Sequence, residues 1–129
     1  MKVLKFGGTS VGSAKNIQKV IEIVKNESLS ENVSVVVSAI GGITDRLLAA
    51  ADKAVQKNKK YKVDFESIRL KHIEVIDGLL SEEAHQTTLD IVLNHLSKLE
   101  KILDGIYLIN EMSPKTTDKL LSFGELLSS

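Results

Sequence analysis

The sequence predicts an α/β fold with a parallel sheet, on three observations. Two short apolar runs, Val3–Phe6 and Val33–Ala39, read as strands, and the β-branched VSVVVSA of the second suggests burial on both faces. Between them Ile17, Val20, Ile21 and Val24 recur at i, i+3, i+4 and i+7, one face of an amphipathic helix with Ser13 placed as its N-cap. Each run ends in a glycine pair, Gly7-Gly8 and Gly41-Gly42. Strand, helix and strand in this order make a βαβ unit, whose crossover is right-handed and whose strands are parallel.

The remaining elements follow in order. Thr44 or Asp45 is positioned to cap a helix running through about Val55. The basic stretch from Lys57 to Lys62 (KNKKYK) reads as a solvated loop. From Asp64 to Leu80 and from Glu82 to about Asp104, apolar residues return at helical spacing, which predicts a helical hairpin ended by Gly105. The IYLI that follows is either a last turn or a short strand. Ser113-Pro114 then supplies an N-cap and a proline at the first helical position, opening a final helix through Leu127. No internal repeat and no linker divides the chain.

Composition narrows the chemistry. The 129 residues are 43% hydrophobic and contain one proline, about one ordinary domain of foldable sequence. Seventeen basic residues balance seventeen acidic ones, so no global field favours nucleic acid or an anionic membrane, and a small-molecule or protein partner is expected. With no cysteine there is neither a disulfide framework nor a thiolate metal site. The apolar runs are too short to span a bilayer and no signal-peptide core opens the chain, so a cytoplasmic protein is the expectation. His72, His85 and His95 lie at spacings that form no i, i+4 metal pair and are expected to be structural or solvated.

The stretch most suggestive of chemistry is KFGGTS, Lys5 to Ser10. Gly7 and Gly12 have the spacing of a P-loop, but Ser13 follows and the nearest downstream lysine is Lys15, so that pattern fails; Gly-x-Gly-x-x-Gly is absent as well. What remains is a lysine on the strand before two glycines. Such glycines let backbone N–H groups approach phosphate oxygens, the following helix N-terminus adds its dipole, and Lys5 adds a point charge. A strand-edge lysine followed by a plain Gly-Gly turn is the alternative reading.

Lys5-Phe6-Gly7-Gly8-Thr9-Ser10 resembles the KFGGTS signature of aspartokinases, members of the amino-acid kinase family. VVVSAIGGITDRLL (Val35 to Leu48) resembles that family's second strand and following loop, and SPKTTDKLLSFGELLSS its S-x-G-E segment, so three motifs in order cover the chain. The resemblance implies a three-layer amino-acid-kinase-like fold with a parallel sheet core, of which residues 1–129 form an incomplete N-terminal portion with a helical hairpin insert. It implies ATP-dependent phosphorylation of the side-chain carboxylate of L-aspartate, with ATP and Mg2+ as cofactors. Lys5 would be catalytic, neutralising the transferring phosphoryl group, while Lys5, Gly7, Gly8, Thr9 and Ser10 line the ATP phosphates. Ser38, Thr44 and Glu125 would bind the aspartate. Each has a plainer role open to it: Ser38 can satisfy a strand end, Thr44 can cap a helix, and Glu125 can be a solvated residue beside an apolar face. No general base is required, because the acceptor carboxylate, with a pKa of about 3.9, is already ionised at neutral pH.

The departure from the family is length. Its later strands, with further substrate and magnesium ligands, the adenine pocket and regulatory domains, are not in this sequence, so turnover by these residues alone is not expected. The kinase part of a bifunctional aspartokinase/homoserine dehydrogenase carries the same motifs and remains open, as does a non-catalytic helical interaction module. A kinase acting on glutamate fits the S-x-G-E segment and the Thr44 loop less well. A homo-oligomer is expected, and Leu120, Leu121, Leu126 and Leu127 with the strand faces are expected to lack cover and drive self-association of the 129-residue chain.

Overall fold

The computed structural model describes all 129 residues. Strand β1 (Lys2–Phe6) and strand β2 (Val33–Val37) pair in parallel, in a register running from Lys2 opposite Val33 to Phe6 opposite Val37. Helix α1 (Ala14–Ser28) makes the crossover, and Ser13 caps it as expected, its Oγ accepting from the Asn16 N–H at 3.2 Å. Strand β2 stops at Val37, two residues short of the expected end. Ser38 still donates its N–H to the Phe6 carbonyl at 3.0 Å, and the chain then turns inward to bury Ala39 and Ile40.

Four helices follow: α2 (Ile43–Val55), α3 (Tyr61–Leu79), α4 (Glu82–Ile109) and α5 (Pro114–Ser128). The core lies among them. Ile43, Leu47, Ala50, Ala51 and Ala54 give α2 a wholly buried stripe, and three of the five are alanines, which lets α3, α4 and α5 all pack closely on it. Ile68 of α3, Leu96, Leu99 and Leu103 of α4, and Leu120 of α5 close this core. Gly124 of α5 meets the bundle at its tightest point, where an added Cβ would lie 2.8 Å from the Ala39 Cβ. No helix is long and apolar enough to cross a membrane.

Several local expectations need correction. Neither Thr44 nor Asp45 caps α2; the cap is Gly42, whose φ of 84° turns the chain so that Ile43 enters the helix fully buried. The basic stretch is only partly a loop. Helix α3 begins at Tyr61, whose ring is buried and whose hydroxyl donates to Asp104 at 2.6 Å; burial first, then that bond, push the phenol up to about 12. Gly105 does not stop α4, because Leu103 and Ile106 on either side are buried, and IYLI is its last turn. The helix ends at Asn110, in the left-handed region at φ 65°, while Lys57 reaches across to donate to the Tyr107 and Leu108 carbonyls.

The strand faces and the chain end also differ from expectation. Val35 and Val36 are 42% and 48% exposed, so β2 is not buried on both faces. Leu120 and Leu127, by contrast, are covered, because α5 lies against α2 and α4 rather than projecting from them. Of that group Leu126 stays exposed.

Two consequences are measurable. Gly124→Ala forces a methyl into the Ala39 contact, and overpacking of this kind costs about 1–3 kcal/mol. Urea unfolding should show that loss, and an unchanged midpoint would mean that α5 does not close on Ala39. His72 is buried; its Nδ1–H donates to the Ile68 carbonyl at 2.8 Å and its Nε2 has no partner. Desolvation, with the Lys71 and Arg46 charges adding to it, holds its pKa below the ordinary 6.5. Because the folded pKa is the lower one, stability is at its full value above pH 6.5 and falls below it as the unfolded chain takes up the proton. The slope can reach about 1.4 kcal/mol per pH unit. Unfolding midpoints between pH 7.5 and 5.5 should fall in the parent chain and flatten in His72→Leu; equal slopes would assign the acid loss elsewhere.

Candidate functional site

Strand β1 delivers its glycines to the carboxyl end of the sheet, and β2 delivers the second pair beside them. The two loops touch through backbone alone. Gly41 donates its N–H to the Gly8 carbonyl at 3.1 Å, and a Cβ built on Gly8 would lie 3.1 Å from the Ala39 carbonyl oxygen. A Cβ on Gly12 would lie 3.2 Å from the Gly8 and Thr9 oxygens, and one on Gly41 3.2 Å from the Gly8 oxygen. These neighbours are backbone atoms that cannot swing aside, which is why three glycines recur here. The same contact brings Gly12, before the cap of α1, within about one van der Waals contact of Gly41, before the cap of α2, so two helix N-termini meet at one place.

The donors at this meeting point are free. Val11 N–H returns to the Gly7 carbonyl and Gly12 N–H to the Thr9 carbonyl, which folds the loop, but the N–H groups of Gly7, Gly8, Thr9 and Ser10 donate to no backbone acceptor. Successive unpaired N–H groups in a turn, next to helix N-termini, form an anion-binding concavity. Asn16 braces it by donating from Nδ2 to the Thr9 carbonyl at 3.0 Å. A depression of about 290 Å3 beside the loop is lined by Thr9, Ser10, Asn16 and Lys19.

Lys5 is exposed and sits opposite Val36. Alternation along β1 places it with Val3 on one face of the sheet, while Phe6 lies on the other with Thr9 and Ser10. The chain's ion pairs leave Lys5 out, whereas Lys2 on the same strand pairs with Glu27 at 2.5 Å and Glu31 at 3.7 Å.

Of the three residues expected at the acceptor side, two are joined. The Ser128 hydroxyl lies 2.5 Å from the Ser38 carbonyl oxygen and 3.1 Å from the Glu125 carbonyl oxygen, so one group at the end of α5 ties the two segments together. Glu125 is exposed, directly after the Gly124 that packs on Ala39. Thr44 is exposed in the first turn of α2, and no hydrogen bond ties its side chain to the other two. Asn16 and Ser128 were not singled out from sequence, and Gly41 was read there only as half of a glycine pair after the second strand. Asn16 had a local signal, three residues after the Ser13 cap; Ser128 had none, because its contact spans ninety positions.

His, Asp and Glu side chains form no group of three that could hold a metal ion. The donor set for Mg2+ is therefore not met by these residues, and no step is assigned through it. A cavity of about 540 Å3 lies between α1, β2, the α3–α4 hairpin and the end of α5, with Val11 and Ile40 of the two glycine loops on its wall.

Comparison with known proteins agrees with this arrangement. The chain is 34% identical over 130 residues to Aspartokinase 1, chloroplastic, of Arabidopsis thaliana, matching 98% of this chain and 22% of that protein. It is 32% identical over 127 residues to Bifunctional aspartokinase/homoserine dehydrogenase 2, chloroplastic, of Zea mays, covering 98% of this chain and 14% of the relative. Among solved structures, E. coli aspartokinase III in complex with aspartate and ADP superposes with a TM-score of 0.80 at 29% identity, over 99% of this chain and 27% of that one. The chain thus spans about a quarter or less of the length of these relatives. The model of the amino acid kinase family matches residues 1–129, and with the glycine loops and parallel βαβ unit in place the chain belongs to the amino acid kinase family.

Proposed function

We propose that residues 1–129 are the N-terminal portion of an aspartate kinase catalytic domain and serve the transfer of the ATP γ-phosphoryl group to the side-chain carboxylate of L-aspartate. The observation that carries the reading is the run of four unpaired N–H groups from Gly7 to Ser10, where the N-termini of α1 and α2 meet. These donors receive phosphate oxygens, and Lys5, free of any ion pair, supplies the positive charge that the transferring group needs. Glu125 receives the ammonium group of aspartate, and Ser38 and Thr44 hydrogen-bond the substrate beside it. The acceptor carboxylate is ionised and attacks directly, so the residues have only to place two anions in line and screen their repulsion. Relatives of both the single-function and the bifunctional kind match the chain equally well along its length, and the chemistry assigned to these residues is the same in either setting.

A chimera tests this. Replacing the matched segment of Aspartokinase 1 with residues 1–129 should give an enzyme that forms ADP in the presence of L-aspartate and ATP and does not act on glutamate; a folded but inactive chimera would overturn the reading. In that chimera Lys5→Ala should lower kcat at least ~100-fold with the circular dichroism spectrum unchanged, and near-normal kcat would remove Lys5 from the catalytic role. Glu125→Gln should raise the KM for aspartate about tenfold, leaving that for ATP within about twofold, since the lost partner is a charge-assisted one. Equal changes for both substrates would return Glu125 to a structural role.

A further inference from the structure

The four unpaired donors of the glycine loop are held in place from behind. Every peptide bond of the chain is trans, and in a planar trans peptide the C=O of one residue and the N–H of the next point in opposite directions. A carbonyl that is tied therefore aims the N–H that follows it. The Phe6 carbonyl accepts from Ser38 N–H at 3.0 Å, the Gly7 carbonyl from Val11 N–H at 3.3 Å and the Gly8 carbonyl from Gly41 N–H at 3.1 Å, which sets the directions of the Gly7, Gly8 and Thr9 N–H groups. Those anchors are all backbone. The Thr9 carbonyl differs: besides Gly12 N–H at 3.1 Å it accepts from Asn16 Nδ2 at 3.0 Å, so the Ser10 N–H is the one donor of the four aimed with the help of a side chain. Asn16 is itself fixed, since it stands in the first turn of α1 and its own N–H donates to the Ser13 Oγ at 3.2 Å.

We infer that Asn16 is a positioning residue for phosphate, acting through the Thr9–Ser10 peptide: its amide ties the loop to the capped end of α1 and keeps the Ser10 N–H aimed at the anion. This deepens the kinase reading and rests on it. Without the amide the Thr9 carbonyl keeps only the Gly12 bond, a turn bond between residues of the same loop, and the Thr9–Ser10 peptide is free to swing. A donor that must first be oriented binds an oxyanion less well than one already in place. The effect falls on ATP and spares aspartate, because Ser38 and Glu125 are tied separately, through Ser128 at the end of α5. The role also depends on the amide proton. A carbonyl only accepts, so Asn16→Asp, which is the same size, has nothing to offer Thr9, although an acid in the first turn of α1 favours the helix itself.

Backbone 15N relaxation on the 129-residue chain reads the aim of the donor directly. The Ser10 amide should be rigid, with an order parameter near ~0.85, and should fall below about 0.6 in both Asn16→Ala and Asn16→Asp, while the Gly8 amide stays as it was. Asn16→Gln, which keeps the donor, should restore Ser10. In the chimera described above, Asn16→Ala should raise the KM for ATP about five- to tenfold, the size of one hydrogen bond, and leave that for aspartate within about twofold. Asn16→Gln should again recover most of the loss. A Ser10 amide as rigid in Asn16→Ala as in the parent chain would overturn the inference, as would an active chimera in which Asn16→Ala changes both KM values equally or neither. An inactive chimera with Asn16 intact counts against the kinase reading alone, and the relaxation result then decides whether Asn16 holds the loop. Should Asn16→Ala fail to fold, Asn16→Asp and Asn16→Gln decide between them.

Discussion

The arrangement depends on a contact without side chains, the Gly41 N–H bonded to the Gly8 carbonyl at 3.1 Å. Because Gly8, Gly12 and Gly41 all present backbone to backbone, the two strand-to-helix turns sit closer than any pair of side chains would allow. That closeness sets where α1 and α2 begin. Two helix N-termini, each a partial positive charge, therefore begin side by side, and the loop N–H groups of Gly7 to Ser10 next to them have no backbone acceptor. The unpaired donors on which the proposed phosphate binding rests are thus a consequence of backbone packing.

The same constraint extends to the far end of the chain. Once Gly41 is fixed, Ala39 is held under α5, and Gly124 lets that helix approach until an added Cβ would sit 2.8 Å away. Glu125 follows by one position, and Ser128 closes the link by bonding the Ser38 carbonyl. The glycine of SFGE therefore acts through packing, and the glutamate beside it inherits its place from that packing. The helical hairpin α3–α4 supports the arrangement from behind, because α2 offers it a stripe of alanines on which long side chains such as Ile68, Leu99 and Leu103 can close.

What was legible in the sequence is what local chemistry decides. Ser13 and Ser113 cap their helices with their own hydroxyls, which accept from Asn16 N–H and Thr116 N–H, and the strands and amphipathic faces follow from periodicity. Long-range contacts decided the rest. Thr44 looked like a cap, but the Gly8–Gly41 contact starts α2 earlier, at a left-handed Gly42. Gly105 looked like a stop, yet burial of Leu103 and Ile106 carries α4 through it to Asn110. Tyr61 sat in a run of lysines and is a core residue because Asp104, forty-three positions away, takes its hydroxyl. In the candidate site, KFGGTS and SFGE were visible as words, but the bond that joins Ser38 to the end of α5 spans ninety positions and has no local signature.

The distribution of charge on β1 bears on what the site is for. Lys2 and Lys5 belong to one five-residue strand in a chain of zero net charge. Lys2 is neutralised at the base of the strand by Glu27 and Glu31, and the bond to Glu27 raises its pKa. Lys5 lies one residue before the glycine loop and has no such partner. An exposed lysine without an ion pair costs little by itself, since surface pairs contribute only about 0–1 kcal/mol. The Lys5 side chain leaves the sheet on the face opposite Thr9 and Ser10, so the lysine and the unpaired N–H groups of the loop flank the end of β1 from two sides. An ion pair would have changed stability little in either direction, and its absence leaves Lys5 as the free cation that the proposed phosphoryl transfer requires.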